Sequence, residues 1–547
     1  MYIFLYDCII SLDASCFFNA IRMQIGVDML KLKVKVGNKD TIIKFGEPTN
    51  LSTLLIDNDV YLDRPCSGKG TCGKCKVKFL SNPPKENSFD VNKLSQHEID
   101  KGYRLSCKCK INNDAHIKIE DKQHFMIKEQ GLSQDNEIFY NNKDLIDYCG
   151  IAIDLGTTTI VVYLVNLDDG HVIDVLSTIN PQREYGDNVI TRSEYINTHT
   201  EGLVKLQSLA INKINELINS LCLKNNLDNS KLARLVLSGN TIMQHIIMSV
   251  NPHPITIAPF TPIFTEQKIV KANDMGFEIK SNANCYITNS ISGYIGGDIV
   301  AGIIASNMDM ANDNSLLVDI GTNGEIVLNN NGKMYSCSVA AGPAFEGEHI
   351  KFGLGGVIGA INKATNTEGK LEIETIGNEK PIGICGSGLL DIVAYFVDEK
   401  IIDKMGSLNY DKCTIVDDEH VYYITDDIYI SQKDIREIQL AKSAIAAGIE
   451  VLINKAGIQF SDIDNVYLSG GFGSYLNVKS AAKIGMLNTK LKEKCLSIGN
   501  SAGMGSVKSL LSDRVLQSLD DIVNRVEYIE LSLDKEFNNL FIDNMLF

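Results

Sequence analysis

The sequence predicts an α/β multidomain protein in which a small cysteine-bearing domain precedes a duplicated body. The first observation is the spacing C-x5-C-x2-C between residues 66 and 75, with a further cysteine at 107. The second is an Asp-x-Gly-Thr motif that occurs at Asp154 and again at Asp319. The third is the length of 547 residues, enough for three or four domains at roughly 150 residues each.

The composition narrows the classes of function. Hydrophobic residues make up 44% of the chain and charged residues 22%, the balance of an ordinary globular protein. The formal net charge is -16, which argues against nucleic acid as a partner, because phosphate binding relies on clustered Lys and Arg. The most apolar segment, at the N-terminus, is broken by charged residues and has no basic start, so we predict neither a membrane span nor a secretory signal.

The N-terminal domain is expected over residues 29–120, with residues 1–28 as a non-native or disordered extension. Two alternating apolar runs in residues 30–45 flank Gly-Asn-Lys-Asp, which predicts a β-hairpin. Asn50 is expected to cap a short helix over 51–56. The remaining elements expected here are a strand over 76–80, a helix over 93–101 and a strand over 116–120.

Four thiols in this pattern indicate a metal cluster. Cys66, Cys72 and Cys75 lie in one glycine-rich loop, whose glycines let the backbone curl and turn its N–H groups toward cluster sulfurs. A structural zinc site usually shows two C-x2-C pairs, and only one is present here. Four thiolates on two irons form a 2Fe–2S centre.

The spacing resembles the 2Fe–2S ferredoxins of the β-grasp type, with the x5 gap of the adrenodoxin-like branch. The resemblance implies that the cluster ligands are Cys66, Cys72, Cys75 and Cys107. Cys109 is the alternative fourth ligand, because a period of two places Cys107 and Cys109 on the same face of a strand. The choice of Cys107 therefore rests on the resemblance. Residues 121–148 are polar and weakly periodic, and we interpret them as a linker.

A different pattern begins near residue 149, where apolar runs alternate with short turns. The first strand ends at Asp154 and a tight turn follows, so the pattern is strand–turn–strand rather than the strand–loop–helix of a P-loop. Asp319 ends a strand in the same way. The N–H and hydroxyl groups of such turns can hold phosphate oxygens. The candidate phosphate-binding residues are Gly156, Thr157, Thr158, Thr159, Gly321, Thr322, Asn323 and Gly324.

A further repeat indicates that the body is an internal duplication. An apolar strand precedes Ser238-Gly-Asn, and another precedes Ser469-Gly-Gly. We therefore expect one half over residues 149–314 and a second over 315–547, ending in a C-terminal helical tail. Two phosphate hairpins on two related halves imply a nucleotide cleft between them.

This design resembles the superfamily of actin, sugar kinases, acetate kinase and the heat-shock-70 chaperones, which implies a duplicated RNase H-like ATPase body. The resemblance implies that Asp154 and Asp319 approach a hydrated Mg²⁺ from opposite sides. It implies that Asp298, at the start of a helix, positions the attacking water. The implied adenosine contacts are Gly470, Gly471, Phe472 and Gly473.

Three further features keep two interpretations each. The segment Gly386–Gly388 is either a phosphate or adenosine contact or the first turn of a helix. Glu346 is either an ion-pairing or a catalytic carboxylate. His245 follows Gly-Asn-Thr on a predicted helix, and the expectation is a structural histidine.

Segments from residue 30 onward resemble the reductive activators of corrinoid proteins. The matching segments are residues 66–75, GYRLSC, IAIDLGTTT, NPQREYGDNVI, LSGNTIMQH, DIGTNGEI, AAGPAFEGE, ICGSGLLD, DIREIQLAKSAIAAGI and LSGGFGSYL. The resemblance implies a 2Fe–2S cluster, ATP and Mg²⁺ as cofactors. It implies ATP-driven one-electron reduction of a corrinoid protein from Co(II) to Co(I), with a cellular low-potential electron donor refilling the cluster.

The resemblance also implies a cytoplasmic enzyme with neither a nucleic-acid nor a membrane partner, and a homodimer is one option for its assembly. Two other functions fit parts of the pattern. A small-molecule kinase with a ferredoxin-type redox module would need a substrate pocket. An activator of a 2-hydroxyacyl-CoA dehydratase would share the body, but such activators hold a 4Fe–4S cluster between subunits and lack the N-terminal ferredoxin.

Overall fold

The computed structural model describes residues 29–36, 39–46, 48–58, 60, 68, 70, 73–119, 147–532 and 534–547. The expected extension over 1–28, nearly all of the linker, Cys66 and Cys72 lie outside these residues. The described residues up to 119 belong to one compact unit and those from 147 to another. Within the described residues, no helix is both long enough and apolar enough to cross a membrane.

The first unit is a five-stranded mixed sheet in the order β2-β1-β7-β4-β5. Its strands are β1 Leu30–Val36, β2 Lys39–Phe45, β3 Thr49–Asn50, β4 Lys76–Ser81, β5 Tyr103–Leu105, β6 Lys110–Ile111 and β7 Ala115–Ile119. Its helices are Leu51–Ile56, Ser88–Lys93 and Gln96–Asp100, with a 3₁₀ turn at Ser106–Lys108. Strand β1 pairs with β2 as an antiparallel hairpin and with β7 in parallel, which is the predicted β-grasp arrangement.

The alternation of β1 explains how this sheet acquires its core. Leu32 and Val34 are fully buried, whereas the alternating Lys31 and Lys33 are exposed. The predicted cap is also present, because the Asn50 side chain accepts a hydrogen bond from the Thr53 amide. The single helix expected over 93–101 is wrong. The chain forms two helices instead, because Ser95 and Glu98 make a capping box that starts the second one.

The first half of the second unit is a six-stranded sheet in the order β10-β9-β8-β11-β13-β12. Its strands are β8 Cys149–Leu155, β9 Thr159–Asn166, β10 Val172–Ile179, β11 Leu232–Gly239, β12 Lys268–Lys271 and β13 Asn284–Ile287. Its α-helices are Val189–Thr198, Gly202–Lys224, Thr241–Ile247 and Gly297–Ala305. The 3₁₀ helices are Pro181–Glu184, Asn229–Lys231, His253–Ile255 and Ala272–Met275.

The second half carries a six-stranded sheet and two small three-stranded sheets. Its strands are β14 Asn314–Ile320, β15 Gly324–Asn330, β16 Lys333–Val339, β17 Ala360–Thr367, β18 Lys370–Thr375, β19 Gly383–Ile384, β20 Thr414–Val416, β21 Glu419–Tyr423, β22 Tyr429–Ser431, β23 Asn465–Ser469, β24 Cys495–Gly499 and β25 Val526–Tyr528. Its α-helices are Gly386–Asp398, Gln432–Ala456, Gly470–Gly473, Val478–Lys483, Ser501–Leu511, Asp513–Asn524 and Lys535–Asp543. The 3₁₀ helices are Pro343–Glu346, Ile376–Asn378, Tyr410–Lys412, Phe460–Asp462 and Thr489–Lys494.

The two large sheets repeat one topology, which is the predicted duplication. In each, three consecutive strands form an antiparallel meander, and two later strands pair in parallel on the other side of the first strand. The meanders are β8–β10 and β14–β16, and the later strands are β11 and β13 in the first sheet and β23 and β24 in the second. The second sheet runs β24-β23-β14-β15-β16-β25. Both halves therefore place an Asp-x-Gly-Thr turn at the end of the first strand.

Two related helices join the halves. Helix 297–305 and helix 501–511 pack between the sheets and share a core with residues of both. They cross at Gly505, where an added Cβ would lie only 1.9 Å from the carbonyl oxygen of Ala301. Each helix begins near the ends of β8 and β14: Asn500, which caps helix 501–511, donates to Asp154, and Asp298, in the first turn of helix 297–305, lies close enough to Asp154 and Asp319 for their charges to add to the rise in its pKa that burial causes.

The C-terminal segment completes the second half. Helix 535–543 packs along helix 432–456, and the buried ammonium of Lys442 donates to the carbonyl oxygens of Asn544 and Leu546, at 2.6 and 2.5 Å. The Phe547 ring lies 5.1 Å from the same ammonium. Backbone carbonyls and an aromatic ring thus stabilise this buried charge.

Candidate functional site

The two described cluster cysteines lie next to each other at one end of the small sheet. Cys75 immediately precedes β4, Cys107 lies in the 3₁₀ turn after β5, and their sulfurs are 3.2 Å apart. Both are buried, at 1% and 7% exposure. Two sulfurs bound to one four-coordinate metal lie within about 4 Å of each other. The pair therefore fits a shared iron.

Hydrogen bonds hold both cysteines in place. The Ser106 amide donates to the Cys75 carbonyl oxygen at 3.0 Å, and the Asn50 side chain donates to the Cys107 carbonyl oxygen at 2.9 Å. The cap of the first helix is therefore also a tether for the fourth predicted ligand. This second role of Asn50 was not visible in the sequence.

The structure corrects the argument that left Cys107 and Cys109 on one strand face. Residues 106–108 form a 3₁₀ turn, so the period of two does not apply there. The Cys107 sulfur lies 3.2 Å from that of Cys75, and Cys75, Cys107 and Cys109 all belong to the buried core of the small unit. The glycines of the loop are needed as such, because Gly68, Gly70 and Gly73 have φ of 81°, 84° and 72°.

The turn between β8 and β9, which the sequence predicts to bind phosphate, is held by three side chains. Asn180 donates to the Gly156 carbonyl oxygen at 2.8 Å, and Asn240 donates to the Thr157 hydroxyl oxygen at 2.9 Å. The buried guanidinium of Arg192 donates to the Thr157 carbonyl oxygen at 2.5 Å. With the carbonyls engaged on this side, the turn is fixed in one conformation.

The turn between β14 and β15, also predicted to bind phosphate, is held by two hydrogen bonds. The Gly321 amide donates to the Asn323 carbonyl oxygen at 2.9 Å, which closes the turn, and the Thr322 hydroxyl donates to Glu346 at 3.0 Å. Burial raises the pKa of Glu346 to about 7, and the charge of nearby Glu348 adds to this effect. Glu346 therefore contacts the turn itself rather than serving only as a surface ion-pair residue.

Four carboxylates converge where the two turns meet. Burial raises the pKa of Asp154 to about 7, and it raises the pKa of Asp298 to about 7, with the charge of Asp319 adding to both. Burial also raises the pKa of Asp319. Asp319 lies directly opposite Glu325 in the β14–β15 ladder, and burial together with Asp298 and Asp319 raises the pKa of Glu325 well above its usual value. Like charges opposite each other in a ladder are destabilising unless a cation compensates them.

Sequence reasoning missed the partners of these carboxylates. Asn500 donates to Asp154 at 2.8 Å, and the Ser469 hydroxyl donates to Asp319 at 2.6 Å. Ser501 lies beside Ser469, with their hydroxyl oxygens 2.5 Å apart. Asn500 and Ser501 open the helix that matches the one carrying Asp298. That repeat was the signal in the sequence.

No three or more His, Cys, Asp and Glu side chains within the described residues are arranged to coordinate one metal ion directly. Mg²⁺ dehydrates reluctantly and usually retains several waters, so a site for this ion does not require three direct protein ligands.

The predicted adenosine segment forms a short helix, Gly470–Gly473, directly after β23. Gly470 has φ of 89°, and an added Cβ would lie 2.5 Å from the Ile320 carbonyl oxygen, so the fold itself requires this glycine. At Gly471 an added Cβ would meet nothing within 4 Å. Phe472 is buried and stacks on Phe345, with ring centroids 4.5 Å apart. Both rings belong to the buried core of the second half.

One ion pair connects the two halves beside the turns. Arg183 donates to Glu348 at 3.0 Å, with side chains only 10% and 20% exposed. Arg183 lies in the 3₁₀ helix after Asn180, and Glu348 lies two residues after Glu346. Because Asn180 holds the first turn and Glu346 holds the second, this pair links both turns through two short loops.

Two features with open interpretations have defined places in the fold. His245 is buried, with its Nδ1 2.7 Å from the Thr241 carbonyl oxygen and its Nε2 accepting from the Ile263 amide. It also stacks on Phe264, and both ring nitrogens are engaged. Gly386–Gly388 forms the first turn of helix 386–398, and the Ser387 hydroxyl donates to the Asn362 carbonyl oxygen.

Comparison with known proteins shows which family combines the cysteine domain with the duplicated body. Family models match residues 34–112 as a 2Fe-2S iron-sulfur cluster binding domain, residues 149–311 as the RACo middle region, and residues 313–547 as the C-terminal domain of RACo, the ASKHA domain. The corrinoid activation enzyme RamQ of Eubacterium limosum is 32% identical over 417 residues, which cover 73% of this chain and 70% of that protein. The chain belongs to the reductive activators of corrinoid proteins.

Two further relatives place this activator in the same family. A Methanosarcina barkeri protein named as a reductase of the Co(II) methylated amine-specific corrinoid protein is 24% identical over 426 residues, 72% of this chain and 76% of that one. A solved structure of a reductive activator for a corrinoid, iron-sulfur protein superposes with a TM-score of 0.66 at 29% identity, over 94% of this chain and 98% of the other. The activator therefore shares its whole domain order with a known structure.

Proposed function

We propose that the chain is an ATP-dependent one-electron reductase that returns a corrinoid protein from Co(II) to Co(I). One observation carries the proposal: a single chain of this family combines two structural features. One is a buried cysteine pair suited to an iron, and the other is a duplicated body with two turns predicted to bind phosphate. A 2Fe–2S cluster held by the cysteines would supply the one electron that the cobalt gains, and a cellular low-potential donor would supply the electron that replaces it.

The proposed cluster ligands are Cys66, Cys72, Cys75 and Cys107. The cluster supplies a one-electron store when it is bound. The protein buries Cys75 and Cys107 and fixes their backbone through Ser106 and Asn50, which limits rearrangement of the site when the charge changes.

The proposed nucleotide site uses both halves of the body. The N–H groups of residues 156–159 and 321–324 would hold the phosphates, and Asp154 and Asp319 would hold the waters of Mg²⁺. Asp298 would orient the attacking water, as a half-buried carboxylate at a helix start can do. An Mg²⁺ ion would compensate the negative charges of Asp154 and Asp298, whose pKa values burial raises to about 7.

The energy scale of the proposed coupling is adequate. A shift of about 30 mV for a one-electron step corresponds to about 0.7 kcal/mol. A nucleotide that closes the cleft can favour one conformation by several kcal/mol through differential affinity. Binding or hydrolysis of ATP could therefore shift an otherwise unfavourable electron transfer by more than 100 mV at this scale.

The test is an anaerobic assay of the cobalt state. Chemically reduced, cluster-loaded protein is mixed with a Co(II) corrinoid protein, and the visible spectrum is followed with and without Mg-ATP. Co(I) that forms only with Mg-ATP supports the proposal. Absence of Co(I) with several corrinoid proteins, together with phosphorylation of a small molecule, would favour the kinase alternative instead.

A matched pair of variants separates the two modules. Asp319→Asn leaves the cysteine pair untouched and is expected to keep the cluster spectrum while abolishing ATP-dependent Co(I) formation. Cys75→Ser removes a cluster ligand and is expected to lose the spectrum while retaining nucleotide binding. Loss of the spectrum in the aspartate variant would contradict the assignment of separate roles.

A further inference from the structure

The surface beside the cysteine loop is formed by one short helix and one lysine. An added Cβ at Gly70 would lie 2.8 Å from a ring carbon of Phe89 and 2.8 Å from Cε of Lys108. At Gly73 the nearest atom would be Cβ of Lys93, at 3.6 Å. Phe89 and Lys93 belong to helix 88–93, and Lys108 is next to Cys107 in the chain. These side chains therefore lie directly against the described part of the loop.

This surface is apolar at its centre and positive at its rim. Phe89 is 40% exposed and Val91 is 58% exposed. The Lys108 ammonium lies 5.0 Å from the centre of the Phe89 ring, and Lys93 is exposed at the end of the same helix. We call Phe89, Val91, Lys93 and Lys108 the cluster face.

Within the described residues, two carboxylates on or beside helix 88–93 are engaged elsewhere. Asp90 is fully buried and accepts hydrogen bonds from the amides of Leu105 and Asn87. Glu86 lies 3.7 Å from the guanidinium of Arg104. The exposed charge of the face is therefore contributed by its lysines.

The charge of the whole domain has the same sign. Residues 29–120 contain 17 Lys and Arg against 11 Asp and Glu, a formal charge of +6. The rest of the chain contains 35 against 57, a formal charge of -22. The acidic character of the protein thus belongs entirely to the segments outside the cysteine domain, and a basic domain attracts acidic surfaces.

We propose that the cluster face is the docking site for an acidic electron-transfer protein, the donor that refills the cluster. An apolar centre with a charged rim is the usual composition of a small, transient protein interface, and complementary charge raises the association rate. In this step the donor loses one electron and the oxidised cluster gains it. The inference rests on the proposed function only in assigning the cluster as an electron store.

The donor fits this face better than the corrinoid protein does. Transfer to cobalt is the step proposed to depend on the nucleotide body, whereas refilling the cluster requires the cysteine domain alone. A carboxylate-rich surface around the donor's own redox centre would meet Lys93 and Lys108 and bring the two centres together.

The experiment measures cluster reduction by stopped flow, with neither ATP nor a corrinoid protein present. The probe is a small acidic ferredoxin of the C-x2-C-x2-C-x3-C type, reduced in advance and mixed with the oxidised full chain at several salt concentrations. Lys93→Glu reverses a charge on the cluster face, and Phe89→Ser removes its apolar centre. Lys44→Glu is the matched control, because Lys44 is exposed on β2 at the opposite edge of the sheet from β5.

Lys93→Glu is expected to lower the second-order rate constant about tenfold at low salt, and the difference should shrink as salt screens the charges. Phe89→Ser should lower the rate at all salt concentrations, while Lys44→Glu changes it less than twofold. Reduction by dithionite should be equal in all variants, which shows that the cluster site is intact. Because the assay omits cobalt and nucleotide, it can fail while the cobalt-state assay succeeds.

Three outcomes would overturn the inference. Equal losses in Lys93→Glu and Lys44→Glu would mean that only the net charge of the domain matters. A rate that does not fall with salt would remove the electrostatic argument. Unchanged reduction by the ferredoxin, with slower transfer to a Co(II) corrinoid protein, would assign the face to the acceptor.

Discussion

The ion pair between Arg183 and Glu348 should control nucleotide affinity. It joins the loop that holds the first phosphate turn through Asn180 to the loop that holds the second through Glu346. Arg183→Gln or Glu348→Gln removes one charge and leaves the other in a setting with 10–20% exposure. We expect either change to loosen the closed arrangement of the two turns and to weaken binding of Mg-ATP.

The magnitude follows from the burial of the pair. Exposed ion pairs contribute about 0–1 kcal/mol, and loss of one partner of a fully buried pair costs about 3–5 kcal/mol. With both side chains mostly but not fully buried, we expect about 1–2 kcal/mol. Since about 1.4 kcal/mol is a tenfold change in an equilibrium constant, the dissociation constant for Mg-ATP should rise roughly 5- to 30-fold.

The assay is a double-mutant cycle by isothermal titration calorimetry with Mg-ATP. Arg183→Gln with Glu348→Gln should bind no worse than the weaker single variant, because the second change removes the charge that the first left unpaired. Thermal unfolding of each variant is the control for stability. Additive effects in the double variant, or unchanged affinity with lower stability, would refute the idea that this pair couples the turns.

Three further outcomes test other parts of the structure. Gly505→Ala should lower the free energy of unfolding by about 1–3 kcal/mol, because its Cβ would lie 1.9 Å from the Ala301 carbonyl oxygen; urea denaturation against Gly471→Ala, where the space is open, measures this. Asp154→Ala should abolish ATP-dependent Co(I) formation and leave the visible spectrum of the cluster unchanged, whereas Cys72→Ala should remove both the cluster spectrum and Co(I) formation while leaving nucleotide binding, measured by calorimetry, intact. Burial lowers the pKa of Lys442 to about 8. Between pH 8 and about 10.4, the unfolded chain therefore binds a proton that the folded chain lacks. The free energy of unfolding should rise with pH in that window by up to about 3 kcal/mol relative to Lys442→Met. A urea series at pH 7, 8 and 10 in which the two proteins change in parallel would contradict this.

Local patterns in the sequence were sufficient to predict the features that depend on neighbours in the chain. The hairpin β1–β2, the cap by Asn50 and the turns after β8 and β14 all follow from alternation and turn chemistry, although these two strands end one residue later than predicted, at Leu155 and Ile320. The 3₁₀ turn at Cys107 was not predicted, since Ser-Cys-Lys-Cys alternates as a strand does and only the fold decides otherwise.

The parts that escaped prediction are contacts between distant segments. Asn500 and Asp154 are 346 residues apart in the chain, and Ser469 and Asp319 are 150 apart. No local signal links such residues, although the repeat of helix 297–305 by helix 501–511 could have directed attention to the start of the second helix. The proposed roles of the cluster and nucleotide residues remain predictions for the experiments described above.

The long chain separation between paired strands of the second large sheet has a consequence for how the protein folds. Strand β14 must pair with β23, whose partner residues are 150 positions away, whereas β8 pairs with β11 about 80 positions away. Doubling a loop adds only about 0.6 kcal/mol to the entropy of closing it, so the final stability of the sheet hardly changes. Pairings between distant segments form slowly, however. The first half should therefore acquire protection against hydrogen exchange before the second.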